Sequence, residues 1–270
     1  MTITLTYREQ VAVLTLTRPQ VHNVIDLETM AGWEQCLKEI ERENPLAVIL
    51  TGEGEQSFCA GGDLNYFTQL RDQMAVDQMS RRMQALLNKM YEGPRPVIAA
   101  VNGNAYGGGC EILTACHLRI ASAQARFQFR QSAMGVVTGW GGGTRLLREL
   151  GRGSALSLLL TGASVDAVRA REIGFIQSVV APNHLMEEAH NWAAMIASRA
   201  PEAVRAFLEL ARINDTKPMS DTRKKETDLF VALWQRPWFQ RAMDDFVEKK
   251  PAAPTDQPAL EPGVAEDPDT

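Results

Sequence analysis

Residues 105–120 read AYGGGCEILTACHLRI. Three consecutive glycines are followed, after Cys110, by a carboxylate, Glu111, which opens an apolar stretch with helical spacing. Glycine has no Cβ, so a ligand atom can reach its backbone N–H directly, and it tolerates positive φ. Where such a run enters a helix, the first amides have no intrahelical partner and the dipole favours an anion. A second stretch of this kind, SFCAGGDL, lies at 57–64. Either cluster alone reads better as a tight turn. No Lys follows as in a phosphate loop, and neither matches a dinucleotide fingerprint. As a pair, two N–H groups from two loops can bracket one oxygen, which makes an oxyanion hole.

Working outward, PVIAAVNG (96–103) and LRIASA (118–123) flank the first stretch as short apolar runs of buried-strand type. VAVLTLTRP (11–19) and LAVILTGEG (46–54) read the same way, and MTITLTYREQ at the start alternates like a strand. Between them DLETMAGWEQCLKEIERE (26–43) has helical apolar spacing, with Asp26 available as cap. Strands alternating with helices predict an α/β fold with largely parallel pairing. From about residue 144 the pattern is helical, apart from the strand-like FIQSVV (175–180). The expected organisation is a core over 1–200, a helical region over 201–250, and a tail over 251–270. That tail holds five of the thirteen prolines and no aromatic residue, a composition of disordered segments.

The 270 residues are 45% apolar and 23% charged with a net charge of −5, so composition gives no case for a nucleic-acid or anionic-membrane partner. No apolar run approaches the ~20 residues of a membrane span. The N-terminus reads as no signal peptide. The four cysteines and four histidines show no metal-ligand spacing, so no metal is expected, and the thiols read as buried ones in a reducing cytoplasm.

AVNGNAYGGGCEILTACHLRIAS, preceded by SFCAGGDL, resembles the crotonase (enoyl-CoA hydratase/isomerase) superfamily. LTRPQVHNVIDLETM, MGVVTGWGGGTRLLRELG, GASVDAVRAREIGFIQSVV and RAMDDFVEKKP are similar to further family segments, so the likeness covers nearly the whole chain before the tail. It implies a spiral ββα core and a helical C-terminal trimerisation region, giving a homotrimer or a dimer of trimers. It also implies an acyl thioester substrate, carried on coenzyme A or an acyl carrier protein, with no cofactor beyond that coenzyme A. Carried over, the oxyanion amides are those of Gly62 and Gly108. Ala60, Gly61, Asp63 and Leu64 line the coenzyme A site, mainly through backbone. Tyr66 and Trp140 are further candidates there: Trp140 either walls an acyl pocket or packs against Tyr66. Arg223, Lys224, Lys225, Lys249 and Lys250 either reach coenzyme A phosphates or form a solvated face.

The resemblance bears less evenly on the reaction. The family's hydratases use two glutamates; the first falls on Glu111, but the second falls on Gln131, which orients by hydrogen bonding and cannot exchange a proton. FCAGGDLN, the Met134–Gly135 step with two β-branched residues after it, and the W-G-G…T-R-L run resemble the branch that decarboxylates ethylmalonyl-CoA and methylmalonyl-CoA. Loss of CO₂ itself makes the enolate, so the expectation is a decarboxylase whose oxyanion hole carries the rate, with Thr138 and Gln131 either orienting the departing carboxylate or serving only packing and loop bonding. Two features depart from that branch: RQSAM lacks its His-Lys-Glu run, and Thr138 stands where the methylmalonyl enzyme has a tyrosine. The rival is an enoyl-CoA hydratase using Glu111 alone. A reading of another class is a non-catalytic binding or scaffold protein on the same fold.

Overall fold

A computed structural model describes residues 2–247 of the chain. A break in internal contacts between Ala197 and Ser198 divides them into two compact units. The expected tail, 251–270, lies outside the described residues, as do Lys249 and Lys250.

The first unit holds ten strands: β1 (Ile3–Arg8), β2 (Val11–Leu16), β3 (Ala47–Gly52), β4 (Ser57–Cys59), β5 (Val97–Val101), β6 (Asn104–Tyr106), β7 (Leu118–Ser122), β8 (Arg126–Gln128), β9 (Val165–Asp166) and β10 (Ser178–Val180). Its helices are α1 (Leu27–Glu43), α2 (Leu64–Phe67), α3 (Gln73–Tyr91), α4 (Gly108–Leu113), α5 (Gly142–Thr161), α6 (Ala167–Glu172) and α7 (Leu185–Ala197). The strands form a larger sheet in the order β1-β2-β3-β5-β7-β10 and a smaller one in the order β4-β6-β8-β9. Successive β-β-α turns therefore send one strand to each sheet: β3 with β4, β5 with β6, β7 with β8. This is the spiral expected from the resemblance.

In the larger sheet only β1 and β2 pair antiparallel; the other neighbours are parallel. Every residue of β3 and β5 is buried, the continuous apolar type of strand that a parallel sheet covered on both faces requires. Alternation divides them between two cores. Val48, Leu50, Val97 and Ala99 face one core with Trp33 and Leu37 of α1 and Met83 and Leu87 of α3. Ala47, Ile49, Ile98 and Ala100 face the other, with Leu185, Ala189 and Ala193 of α7. Asp26 caps α1 as expected, its carboxylate accepting from the Thr29 N–H at 2.8 Å. Burial pushes the Cys59 and Cys116 thiols up to about 12, so both are inert.

The smaller sheet positions the glycine stretches. β4 and β6 are parallel neighbours with Cys59 opposite Ala105, so 60–62 and 107–109 leave the same end of adjacent strands. Both strands have three residues, too few to show a sequence period.

The second unit contains α8 (Pro201–Asn214), α9 (Met219–Trp234) and α10 (Pro237–Val247). Lys225 pairs with Glu209 at 2.7 Å, and Trp234 packs on Phe230 and Phe239 with centroids 5.2 and 4.3 Å apart. Phe207, Phe230 and Trp238 are exposed.

Candidate active site

The two glycine loops touch. A Cβ built on Gly61, whose φ is +96°, would lie 2.9 Å from the Gly108 nitrogen. Ile25 bridges this loop in parallel register: its N–H donates to Gly61 O and its carbonyl accepts from Asp63 N–H, both at 2.8 Å. The Gly62 N–H consequently faces away from Ile25. Gly108 is the first residue of α4, so its N–H lies outside the helical ladder. Neither amide has a hydrogen-bond partner among the described residues.

The loop carrying Gly62 is tied down from the N-terminal side. Ala60 N–H donates to His22 O at 2.9 Å. Arg18 spans the Asp26 carboxylate at 2.8 Å and the Asp63 carboxylate at 3.1 Å, joining the caps of α1 and α2. Of the other residues expected near substrate, Leu64 is exposed and the Tyr66 ring lies beside Phe67 at 6.0 Å.

Glu111 is 3% exposed and sits in the first turn of α4. Its Oε2 accepts from the Trp140 N–H at 2.7 Å and the Gly142 N–H at 3.0 Å; its Oε1 accepts from Gln131 Nε2 at 3.0 Å and the Gly139 N–H at 3.3 Å. Three of these donors are backbone amides, Gly139 and Trp140 in the turn before α5 and Gly142 as its first residue, so that turn and the helix N-terminus hold the carboxylate together. Gly142 is required there, because a Cβ would lie 2.5 Å from Glu111 Cγ. Burial pushes the Glu111 carboxyl above its ordinary range, while the four hydrogen bonds to the charged form pull against it. A buried carboxyl raised in this way holds a proton more readily than an ordinary glutamate, as a group that exchanges protons requires.

Gln131 lies against Glu111, as the second carboxylate would, and supplies an amide. Thr138 Oγ1 accepts from the Gly143 N–H at 3.1 Å and so caps the turn into α5. Trp140 is buried; its indole N–H points at Met79 Sδ, 3.4 Å away, and its six-membered ring lies over Gly108. The packing of Trp140 is thus on Gly108 and Met79, while Tyr66 pairs with Phe67.

Two arginines that support this site escaped the sequence reading. Arg145 is buried and donates to Trp140 O at 2.8 Å and to Thr114 Oγ1 at 3.0 Å, bracing the turn that grips Glu111. Arg119 is fully buried and donates to Leu113 O, Cys116 O and Phe175 O and to the Glu149 carboxylate, closing the C-terminal end of α4. In the sequence both look like ordinary charged residues in helix and strand; T-R-L at 144–146 was noted only as a motif piece.

Comparison with known proteins decides the family: residues 6–257 match the model of the enoyl-CoA hydratase/isomerase family. The chain belongs to that family. A short-chain-enoyl-CoA hydratase of Clostridium acetobutylicum is 36% identical over 246 residues, 89% of this chain and 92% of the relative. A crotonyl-CoA hydratase of Syntrophomonas wolfei is 32% identical, covering 93% and 96%. The crystal structure of an enoyl-CoA hydratase from Bacillus anthracis superposes with a TM-score of 0.87 at 31% identity, over 92% of this chain and 97% of that one. The chain is therefore an enzyme of the crotonase superfamily, and its α/β spiral is the family fold. Among the described residues no helix is long and apolar enough to cross a membrane.

Proposed function

We propose that this enzyme is an enoyl-CoA hydratase in which Glu111 is the one carboxylate that exchanges protons. The observation that carries the reading is a buried, amide-held Glu111 on the same short helix as the free Gly108 N–H, with the Gly62 loop against it. The thioester oxygen accepts from the Gly62 and Gly108 N–H groups. Ionised Glu111 takes a proton from water as the water oxygen bonds to the β-carbon, and the double-bond electrons move onto the enolate oxygen. Glu111 then returns the proton to the α-carbon. The amides act on charge that exists only after attack, so they stabilise the transition state more than the substrate.

The same geometry disfavours the malonyl-type decarboxylation expected from the decarboxylase resemblance. Gln131, expected to orient the departing carboxylate, turns an amide N–H to Glu111 instead. A malonyl carboxylate beside a buried Glu111 would also place two negative charges in a poorly solvated space. The relatives named as hydratases support the same choice.

The acyl group travels on coenzyme A, no further cofactor enters the steps above, and free thiols, three of them buried, suit the cytoplasm. The exposed Phe207, Phe230 and Trp238 suit α8–α10 to the contacts of a trimer or a dimer of trimers. The test is turnover followed by mass spectrometry on crotonyl-CoA, methylmalonyl-CoA and ethylmalonyl-CoA side by side. Hydration of crotonyl-CoA that is lost in Glu111→Gln supports the reading. Release of CO₂ from the malonyl-type substrates with crotonyl-CoA untouched refutes it.

A further inference from the structure

Resting on the hydratase reading, we propose that Gln131 holds the attacking water through its side-chain carbonyl and takes no proton itself. The amide is fixed in orientation: Nε2 donates to Glu111 Oε1 at 3.0 Å, and the reverse placement would set a carbonyl oxygen against a carboxylate with no proton between them. Its Oε1 is consequently turned away from the carboxylate. That oxygen is buried and has no partner among the described residues. A buried acceptor left unsatisfied is uncommon and calls for a donor. The only hydrogen-bonding chemistry that fits it is an O–H or N–H supplied by what enters the site.

Water meets that requirement and also explains why an amide serves in place of a second glutamate. One O–H donates to Gln131 Oε1 while the other points at Glu111 Oε1, which shares the Gln131 amide. As the water oxygen bonds to the β-carbon, the O–H bond facing Glu111 breaks and its proton passes to that carboxylate. The O–H facing Gln131 is kept and becomes the product hydroxyl. Glu111 then protonates the α-carbon, so both hydrogens and the oxygen of one water are accounted for and Gln131 is unchanged. Gln131 is a catalytic residue in this scheme because it touches the reacting water.

The rival role is purely supportive, with Gln131 doing no more than orienting Glu111. The two roles separate by comparing two reactions of the full-length protein. Hydration of crotonyl-CoA needs the bound water. Exchange of the α-hydrogens of butyryl-CoA with D₂O needs Glu111 and the two amides but no nucleophilic water. In Gln131→Met, hydration kcat should fall on the order of 10²-fold with KM within about threefold, the loss expected when a reacting group is no longer positioned. Exchange should stay within about fivefold of wild type. Loss of both reactions together, or of neither, overturns the proposal while leaving the hydratase reading standing. A wild-type protein that exchanges butyryl-CoA but does not hydrate crotonyl-CoA refutes the hydratase reading, and this inference with it.

Discussion

The three glycines at 107–109 resist substitution for three different reasons, and this separates fold from chemistry. At Gly108 a Cβ would lie 2.2 Å from Trp140 Cζ3 and 2.6 Å from Cη2, against an ordinary contact of at least 3.4 Å. The ring or the helix start must therefore retreat by roughly 1 Å. The ring has little freedom, since Trp140 is buried and its backbone is pinned by Glu111 on one side and Arg145 on the other. Gly108→Ala should cost about 1–3 kcal/mol of stability, as overpacking does. It should also carry the Gly108 N–H out of line with the thioester oxygen, lowering kcat on the order of 10²- to 10³-fold, the loss seen when one oxyanion donor is removed. At Gly109 the obstacle is backbone: a Cβ would lie 2.0 Å from Cys59 O, so Gly109→Ala should prevent β4 and α4 from packing at all. Gly107 meets nothing within 4 Å but has φ +53°, so Gly107→Ala pays only backbone strain, about 1–3 kcal/mol, with its amide still bonded to Gln128 O. Thermal unfolding and crotonyl-CoA hydration of the three single variants make the assay. A soluble, folded Gly108→Ala with kcat within about threefold of wild type would refute the assignment of that amide.

Three other outcomes follow from the site and its supports. Because burial raises the Glu111 carboxyl, its stability contribution is fully present at acid pH and is lost as pH rises through the folded-state value. The melting temperature of Glu111→Gln relative to wild type should therefore rise as pH goes from about 4 to about 8, although its kcat falls roughly 10²- to 10⁴-fold. In the wild type, kcat/KM should climb with pH as Glu111 ionises, with the midpoint above the ordinary glutamate value of about 4.3; a midpoint at or below that value would contradict the burial argument. Arg119→Met leaves Leu113 O, Cys116 O and Phe175 O without their donor and should cost about 3–5 kcal/mol in denaturant titrations, while kcat per folded molecule stays within about threefold.

Much of the large sheet was legible because its central strands are five- or six-residue apolar runs, two of them wholly buried. The apolar runs at 11–19, 46–54, 96–103 and 118–123 became β2, β3, β5 and β7, and Asp26 announced the start of α1. The small sheet was not legible. β4, β6, β8 and β9 have two or three residues each, too few for a period-two pattern, and what defines them is their neighbour across the sheet. α3 was also missed, because its Gln73–Tyr91 run mixes Met, Gln and Arg with few strong apolar residues in its first half.

By itself the sequence determined the α/β class, the family likeness, the two glycine stretches and the presence of one glutamate where two are usual. Those properties are local: glycine is needed wherever a backbone must come close, and an acid is visible as a letter. The tertiary structure alone decided how the acid is held. Glu111 is gripped by amides of residues 139, 140 and 142, and a backbone amide has the same chemistry whatever side chain it carries, so only Gly142, where a Cβ would strike Glu111, leaves a mark of the grip in the sequence. The fold likewise turned Thr138 into a cap for α5 and aimed the Gln131 amide at Glu111, because both follow from the path of a loop that closes only when α5 docks on α4.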